Sequence, residues 1–550
     1  MKRVIAILLA ALLLLTACQS QPTDHTKGTT SSTSASQSTW TDAAGNVYST
    51  TTTTGTGTTT GTGTTGTTGT GSSLQNGCTH KDTDNDGTCD NCRISVVVIL
   101  DLYALNDLHG KFDDTGDQPG VDELTTFLKT AVKANPQTVL LSSGDMWQGS
   151  PESNMTAGRI ITDWMNHLNF AAMTLGNHEY DWGEDPVEAN AKAANFPMLA
   201  INVYDNDTGK RVDYADASVM IERGGAKIGI IGAIGDCYSS IAPDKVEGIH
   251  FKVGSDLTAL VKAEATRLRQ QGADIIVYSL HDGYGSSGNG SITNGKLASF
   301  YDASLSDGYV DLVFEGHTHQ RYVLQDSHGV YHLQNGGENK GISHAKVAVN
   351  VANDSTDVQA AEFIASGTYT HMADDPVVDR LLDQYADDIE DANRMLGYNS
   401  RYRSSRALMQ LVADRYYEAG MERWGDKYKI ALGGGFLTVR SPYDLDPGEV
   451  TYGMLQMLLP FDNDLVLCSV QGRYLSSKFF FTDNDRYAIS YGDYGASIKD
   501  SIDPNATYYV VVDTYTSSYK PNHLTVVDTY TPGVYARDLL ADFVSDGGLE

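Results

Sequence analysis

The chain has 550 residues, with 39 Lys and Arg against 70 Asp and Glu, and so carries a formal charge of −31. Hydrophobic residues make up 41% of it, ample for a large buried core, and the length predicts three or four domains. The acidic balance excludes a protein that coats nucleic acid, which needs cations on the phosphates, and electrostatic docking to anionic lipid. A small phosphorylated substrate stays open, because a metal site overrules the net field locally.

Met1-Lys2-Arg3 is a basic start, and Val4 to Leu15 is an apolar run of signal-peptide length. It ends in Leu15-Thr16-Ala17-Cys18, which resembles a bacterial lipoprotein lipobox. The resemblance implies that residues 1–18 form the signal, that the chain is cut before Cys18, and that Cys18 carries lipid. The protein would then sit outside the cytoplasm, anchored to the cell membrane or envelope. An ordinary signal peptide with a chance Cys is the alternative, and it also implies export. Residues 19–77 are Ser, Thr and Gly with few apolar residues, and Thr50 to Gly71 is Thr and Gly alone. Such a segment cannot offset its ordering entropy, which predicts a disordered tether.

Residues 78–93 read as a small module. Asp82, Asp84 and Asp86 alternate before Gly87, as in the first half of a calcium loop, with Asp90 as a further candidate ligand. The acidic residue expected at the twelfth position is absent, since Arg93 stands there. Cys78, His80, Cys89 and Cys92 have the types and tight spacing of a zinc site. The competing reading outside a cell is a disulfide between two of the three Cys. Cys237 and Cys468 are expected to be buried thiols.

From Ile94 a rhythm of β-branched apolar runs begins, each followed by a polar cluster. Val96 to Leu105 ends in Asn106-Asp107-Leu108-His109-Gly110, and Thr138 to Leu141 in Ser143-Gly144-Asp145. Ala171 to Leu175 ends in Gly176-Asn177-His178-Glu179-Tyr180-Asp181, Ile275 to Leu280 in His281, and Val310 to Phe314 in Gly316-His317-Thr318-His319. Five strands thus deliver Asp, His or Asn at their C-terminal ends, where open sheets place ligands. Asp107 and His109 leave an extended segment on the same side, as do His317 and His319. Asp145 has two oxygens and can bridge two cations. Mixed nitrogen and oxygen donors suit Zn, Mn, Fe or Co better than Mg alone, and two such ions make a clamp for displacement at phosphorus.

This ordered set resembles the signature of the calcineurin-like metallophosphoesterases, and NDLHG with GNHEYDWG is similar to their 5′-nucleotidase branch. The resemblance runs from about Ser95 to the C-terminus. It implies an α/β (α+β) fold: a β-sandwich flanked by helices over residues 94–370, a linker helix over 371–400, and a C-terminal α/β substrate-binding domain over 401–550. It implies two divalent metal ions of unknown identity. The first would be held by Asp107, His109, Asp145 and His319, the second by Asp145, Asn177, His281 and His317. His178 matches the family's catalytic His and Asp181 its acidic partner, with Asn177 beside them. His332 and His344 are expected to be structural, Asp113, Asp114 and Asp117 a solvated loop, and Gly285 to Gly290 no nucleotide cradle.

Beyond Met372, Asp375-Pro376 followed by Val377 to Leu396 predicts one exposed amphipathic helix. Leu408 to Tyr417 predicts another, Lys429 to Leu432 a strand leading into a turn at Gly433-Gly434-Gly435, and Leu465 to Val470, Tyr508 to Val512 and Leu524 to Thr529 further strands, before a closing helix over Val534 to Val544. The family resemblance implies Phe461, in Pro460-Phe461-Asp462-Asn463, as a base-stacking residue, with Tyr515 as the best match for the opposite face. The chain departs from the family at the glycines: Leu432 replaces an Asn before them, and Leu437 occupies the place of a substrate-binding Arg. Arg440, Arg403 and Arg406 are the candidates for that role, and Arg401 is a further one.

The resulting expectation is a metal-dependent phosphoric ester hydrolase acting on nucleoside 5′-monophosphates. Its partners would be a small-molecule nucleotide and the membrane through a lipid anchor, with no nucleic acid polymer and no obligate protein partner. A 2′,3′-cyclic nucleotide phosphodiesterase or UDP-sugar hydrolase on the same site is the alternative. A non-catalytic surface binding protein on a decayed fold is a second one, disfavoured by the complete ligand set.

Overall fold

The computed structural model describes residues 37–41, 47–51, 78–112, 119–284, 301–439, 443–475, 487–492, 495, 500–519, 522–530 and 535–550. The chain divides into two units, Met1–Thr67 and Thr68–Glu550. Cys18, Asp113, Asp114, Asp117, Gly285 to Gly290 and Arg440 lie outside the described residues. In the first unit, Gln37–Thr41 pairs antiparallel with Val47–Thr51, Trp40 facing Tyr48 in register. The expected tether therefore holds one regular pairing.

In the second unit twelve strands build a sandwich: β1 (Val97–Leu105), β2 (Thr138–Ser142), β3 (Ala172–Thr174), β4 (Met198–Leu199), β5 (Ser218–Arg223), β6 (Ala226–Ile234), β7 (Ile275–His281), β8 (Leu312–Glu315), β9 (Arg321–Gln325), β10 (Tyr331–Asn335), β11 (Gly341–Asn350) and β12 (Ser355–Ala365). They form two six-stranded sheets, ordered β12-β11-β1-β2-β3-β4 and β9-β10-β8-β7-β6-β5. Strands β1 to β4 pair in parallel, as do β6, β7, β8 and β10. Their C-terminal ends consequently share one edge of each sheet.

Side-chain alternation explains the sandwich. Leu100, Leu102 and Ala104 of β1 join Val139 and Leu141 of β2 in one buried cluster with Ile228, Ile230, Val277 and Leu312 of the other sheet. The outer faces are closed by helices. Leu124 and Leu128 of α1 (Asp122–Ala134) and Ile160, Ile161 and Trp164 of α2 (Arg159–His167) cover one. Leu257, Val261 and Leu268 of α3 (Ser255–Gln270) cover the other.

The segment after Met372 departs from the single exposed helix expected there. Asp375 caps α4 (Pro376–Gln384), its carboxylate accepting from Val377 N at 3.0 Å, and Pro376 starts it. Val377, Val378 and Leu381 are buried, so one face packs on the sandwich. Regular α-helix is interrupted at Tyr385, whose hydroxyl reaches Asp163 Oδ2 at 2.5 Å. After two short helical turns the chain becomes a strand, Met395–Asn399, paired with Gly448–Thr451. Pairing with a distant strand overrides local helical pattern here.

The C-terminal part is built on α5 (Ser405–Trp424) and a five-stranded sheet of β13 (Ile430–Phe436), β14 (Leu465–Gln471), β15 (Tyr487–Ser490), β16 (Thr507–Asp513) and β17 (Leu524–Thr529), ordered β15-β13-β16-β14-β17. The expected glycine turn is instead strand: Gly433, Gly434 and Gly435 lie inside β13. A Cβ on Gly433 would strike the backbone nitrogen of Tyr417, so this glycine admits helix α5, not a ligand. α6 (Tyr452–Leu458) and α8 (Ala536–Ser545) complete this region, and α7 (Thr514–Tyr519) carries Tyr515.

One buried hydroxyl network ties the two sheets together beneath the edge they share. Ser279 Oγ stands 2.7 Å from Thr174 Oγ1, 3.0 Å from Ser143 Oγ and 3.2 Å from the Ser142 carbonyl. Ser279→Ala leaves these buried groups short of a partner, and a loss of about 1–3 kcal/mol is expected. Chemical denaturation with an unchanged midpoint and slope would contradict this reading of the network.

Candidate active site

Three of the five strand ends turn sharply at their polar residues. Asp107, His109, Asp145, His317 and His319 all have left-handed backbone, with φ of 52°, 52°, 55°, 69° and 51°. L-residues rarely adopt this conformation, and each instance costs on the order of 1–2 kcal/mol. The loops close on one another through backbone bonds: Asp107 N donates to Gly144 O at 2.9 Å and His109 N to Asp145 O at 3.1 Å. Glycines make room. A Cβ on Gly176 would collide with Asp145 Oδ1, and one on Gly144 would stand 2.6 Å from His281 Nδ1.

The side chains converge. His109 Nε2 lies 2.9 Å from His319 Nε2, and Asp107 Oδ1 lies 3.9 Å and 3.5 Å from those two nitrogens. Ligand atoms of Asp107, Asp145 and His281 all lie within 4.8 Å of one another. His281 Nε2 is 3.1 Å from Asp145 Oδ2, and His317 Nδ1 is 3.0 Å from Asn177 Oδ1. All seven residues expected at the metals are therefore neighbours, with Asp145 linked to the group around His281 and Asp107 to the group around His109.

These residues fit two divalent cations. Asp107, Asp145 and His281 are fully or almost fully buried, and His281 Nε2 makes no hydrogen bond. His281 Nδ1 faces the Ser143 carbonyl at 2.6 Å and His109 Nδ1 the Gln148 carbonyl at 2.9 Å. An imidazole donating through Nδ1 turns a lone pair on Nε2 inward, as a ligating His requires. Burial pushes Asp145 upward, but His281 and His178 outweigh it and hold the carboxyl well below its ordinary range. Burial disfavours charged His281, yet Asp145 and Asp107 raise its pKa to about 10. Burial and the adjacent His281 lower His317 to about 4. The pocket thus keeps its carboxylates ionised and calls for positive charge.

His178 stands at the rim. Its Nδ1 is 2.7 Å from Asp181 Oδ2, and its backbone nitrogen donates to Asp145 Oδ1 at 2.8 Å. The aspartate fixes the ring's orientation. The Phe461 ring lies over His178, with centroids 6.2 Å apart and planes 26° apart. The C-terminal region therefore reaches the site through the residue singled out for stacking. Arg403 is committed elsewhere, donating to Asn399 Oδ1 at 3.0 Å and the Leu549 carbonyl at 3.2 Å, and Arg406 is exposed. Leu432 and Leu437 are core residues. His332 pairs with Glu315 and His344 with Asp101 and Glu362, consistent with structural roles. Cys237 and Cys468 are buried and free, and Cys237 Sγ lies at the floor of the site, 3.1 Å from the His281 carbonyl.

Two important residues escaped the sequence reading. Glu179 is buried beneath the metal-ligand loops and accepts backbone N–H groups from Gly176 at 2.6 Å, Met146 at 2.8 Å, Asp145 at 2.9 Å and Trp147 at 3.3 Å. Burial and Asp145 push its pKa up to about 7 against those donors. Its place inside GNHEYD was the available signal. Arg537 of α8 is the second. It donates to the carbonyls of Leu459 and Pro460 at 3.0 Å and 3.2 Å, to Asp462 Oδ1 at 2.6 Å and to Tyr452 Oη at 2.9 Å. It thereby clamps the loop on both sides of Phe461, and no sequence spacing reveals that.

Glu179→Ala removes an acceptor from four backbone donors that shape the Asp145 loop. Metal retention on dialysis and phosphoester hydrolysis are expected to fall together, each by at least roughly tenfold. A variant that keeps its metal but loses turnover would contradict this positioning role.

Residues 100–321 match the calcineurin-like phosphoesterase family. Among its relatives, the chain is 25% identical to protein UshA of Yersinia enterocolitica over 407 residues, 66% of this chain and 71% of that one. It is 30% identical to a 5′-nucleotidase of Vibrio cholerae over 236 residues, 41% of each chain. The crystal structure of a 5′-nucleotidase precursor from Thermus thermophilus superposes with a TM-score of 0.61 at 20% identity, covering 82% of this chain and 96% of that one. With this match and a donor set fitted to divalent cations, residues 100–321 are a calcineurin-like phosphoesterase domain and the chain is a metal-dependent phosphoester hydrolase.

Proposed function

We propose that this chain is an extracytoplasmic 5′-nucleotidase that releases nucleoside and phosphate from nucleoside 5′-monophosphates at a two-metal site. The observation that carries the reading is the meeting of two parts of the chain: metal-ligating side chains from five strand ends, and an aromatic ring, Phe461, lying over His178. Asp107, His109, Asp145 and His319 would hold one cation, and Asp145, Asn177, His281 and His317 the other. Bound there, the cations supply an activated water and neutralise phosphate oxygens. His178, oriented by Asp181, stabilises the oxygens that gain charge or protonates the leaving alkoxide. Phe461 offers its face to the base, and Arg537 holds the loop that presents it. Tyr515 supplies the opposite face, and Arg440 or Arg406 the substrate's cationic contact. Zn, Mn, Fe and Co all suit the donors. A 2′,3′-cyclic nucleotide or a UDP-sugar at the same site is the second reading, favoured by Leu437 standing where the family has a substrate Arg.

Residues 1–18 would direct export, Cys18 would carry a lipid anchor, and residues 19–77 would hold the enzyme away from the envelope. Residues 401–550 would select the substrate. The resemblance of the first residues to a lipobox supports this arrangement, and mass analysis of the mature N-terminus tests it.

Hydrolysis of AMP to adenosine and phosphate, of 2′,3′-cyclic AMP to an adenosine monophosphate, and of UDP-glucose to UMP and glucose 1-phosphate, each followed with and without a chelator, tests the substrate. Metal-dependent release from AMP is expected; reaction of a cyclic ester alone would move the assignment to a phosphodiesterase. Asp145→Asn is expected to lose activity and metal occupancy together, and retention of full activity would remove Asp145 as the bridge. Phe461→Ala is expected to weaken AMP binding by about 1–3 kcal/mol, the contribution of one aromatic–base stack. It should leave a small generic phosphoester almost unaffected, and Arg537→Lys should reproduce that pattern more weakly. Equal losses on both substrates would mean that Phe461 serves packing alone.

A further inference from the structure

The phosphoesterase site leaves one chemically distinctive cluster unused, in the loop that precedes β1. One ligand atom from each of Cys78, His80, Cys89 and Cys92 lies within 4.8 Å of the other three. Cys78 Sγ and Cys89 Sγ are 3.8 Å apart, and Cys92 Sγ is 3.4 Å from His80 Nδ1. All three cysteines are free.

These separations carry a specific meaning. Around a tetrahedral zinc ion with Zn–S of about 2.3 Å and Zn–N of about 2.0–2.1 Å, two sulfurs stand roughly 3.8 Å apart and a sulfur and a nitrogen roughly 3.5 Å apart. A disulfide needs sulfurs at about 2.05 Å, and three cysteines would leave one of them unpaired. We infer that Cys78, His80, Cys89 and Cys92 bind one structural zinc ion, separate from the phosphoesterase metals. The three cysteines bind as thiolates, so their protons leave to solvent and no oxidation or reduction occurs.

The surrounding loop shows why a metal is needed. Within Cys78 to Arg93 the only fully buried hydrophobic side chain among the described residues is Cys89. A loop this short with one such side chain cannot form a core of its own. The aspartates that suggested calcium do lie together, one carboxylate oxygen from each of Asp82, Asp84 and Asp86 within 4.8 Å of the others, and Asp82 and Asp90 also bond the backbone. Asp82 accepts from Asp86 N at 3.1 Å and Gly87 N at 3.0 Å, and Asp90 accepts from Thr83 N at 3.1 Å. The loop is then docked on the sandwich. Asn350 Nδ2 donates to Asp82 Oδ2 at 2.6 Å, and Val96 N to Gly87 O at 3.0 Å. A zinc ion here fixes the loop that enters β1. It also caps thiols that an oxidising compartment would otherwise couple.

The test uses the full chain loaded with cobalt in place of zinc. The wild type is expected to show thiolate-to-cobalt charge-transfer absorption and the intense visible bands of a tetrahedral site. Cys89→Ser/Cys92→Ser should lose those bands and one metal ion per chain, with AMP hydrolysis within about twofold of wild type. Cys237→Ser should keep the bands, which separates this cluster from the thiol beneath the phosphoesterase site. The zinc assignment is overturned if wild-type protein isolated without reductant has a disulfide among Cys78, Cys89 and Cys92 by peptide mapping. It is also overturned if wild type lacks the thiolate bands or if they survive in the double variant. The mapping and the wild-type spectrum need no variant to fold, and neither depends on the nucleotide reading.

Discussion

The constraint on which the site depends is left-handed backbone at the strand ends. Five of the seven candidate ligands stand there with φ between 51° and 69°. Without that reversal, an extended strand would carry Asp107 and His109 onward past the sheet edge. With it, ligands from five strands meet in a small volume. The strain totals on the order of 5–10 kcal/mol over the five residues, comparable to the net stability of a domain. It is offset by the close-packed sandwich, by the Ser279 hydroxyl network and by Glu179, which gathers four backbone N–H groups from two of the loops.

The same geometry resolves the charge problem. Only six Asp stand against four Lys and Arg up to Cys92, so almost the whole deficit of −31 belongs to the rest of the chain. An acidic body repels an anionic substrate. The described site opposes that field with ring nitrogens, arranged so that His109 and His281 turn Nε2 inward against buried carboxylates. Divalent cations held among these donors would reverse the sign where a phosphate would lie. Nothing about the net charge needs to change for this to work, because the reversal is local and largely shielded from solvent.

The catalytic strands were legible because their signals are local. A short apolar run ending in Gly-Asp or Gly-His-Thr-His states both the strand and its ligand. The helix expected over Val377 to Leu396 failed because its second half leads into a strand paired with the distant Gly448–Thr451. Gly433 to Gly435 read as a turn, yet they are strand residues, and Gly433 admits α5, since glycine permits close approach without saying what approaches. Glu179 was visible only as a letter in a motif. Arg537 had no local signal at all, because its four partners come from Tyr452 and the loop around Phe461.

The central claim is that this geometry assembles two cations side by side for phosphoester hydrolysis. Anomalous diffraction from crystals of the manganese-loaded chain tests it most directly. Two peaks are expected, one among Asp107, His109 and His319 and one among Asn177, His281 and His317, with Asp145 between them. A single peak, or none at Asp145, would contradict the account.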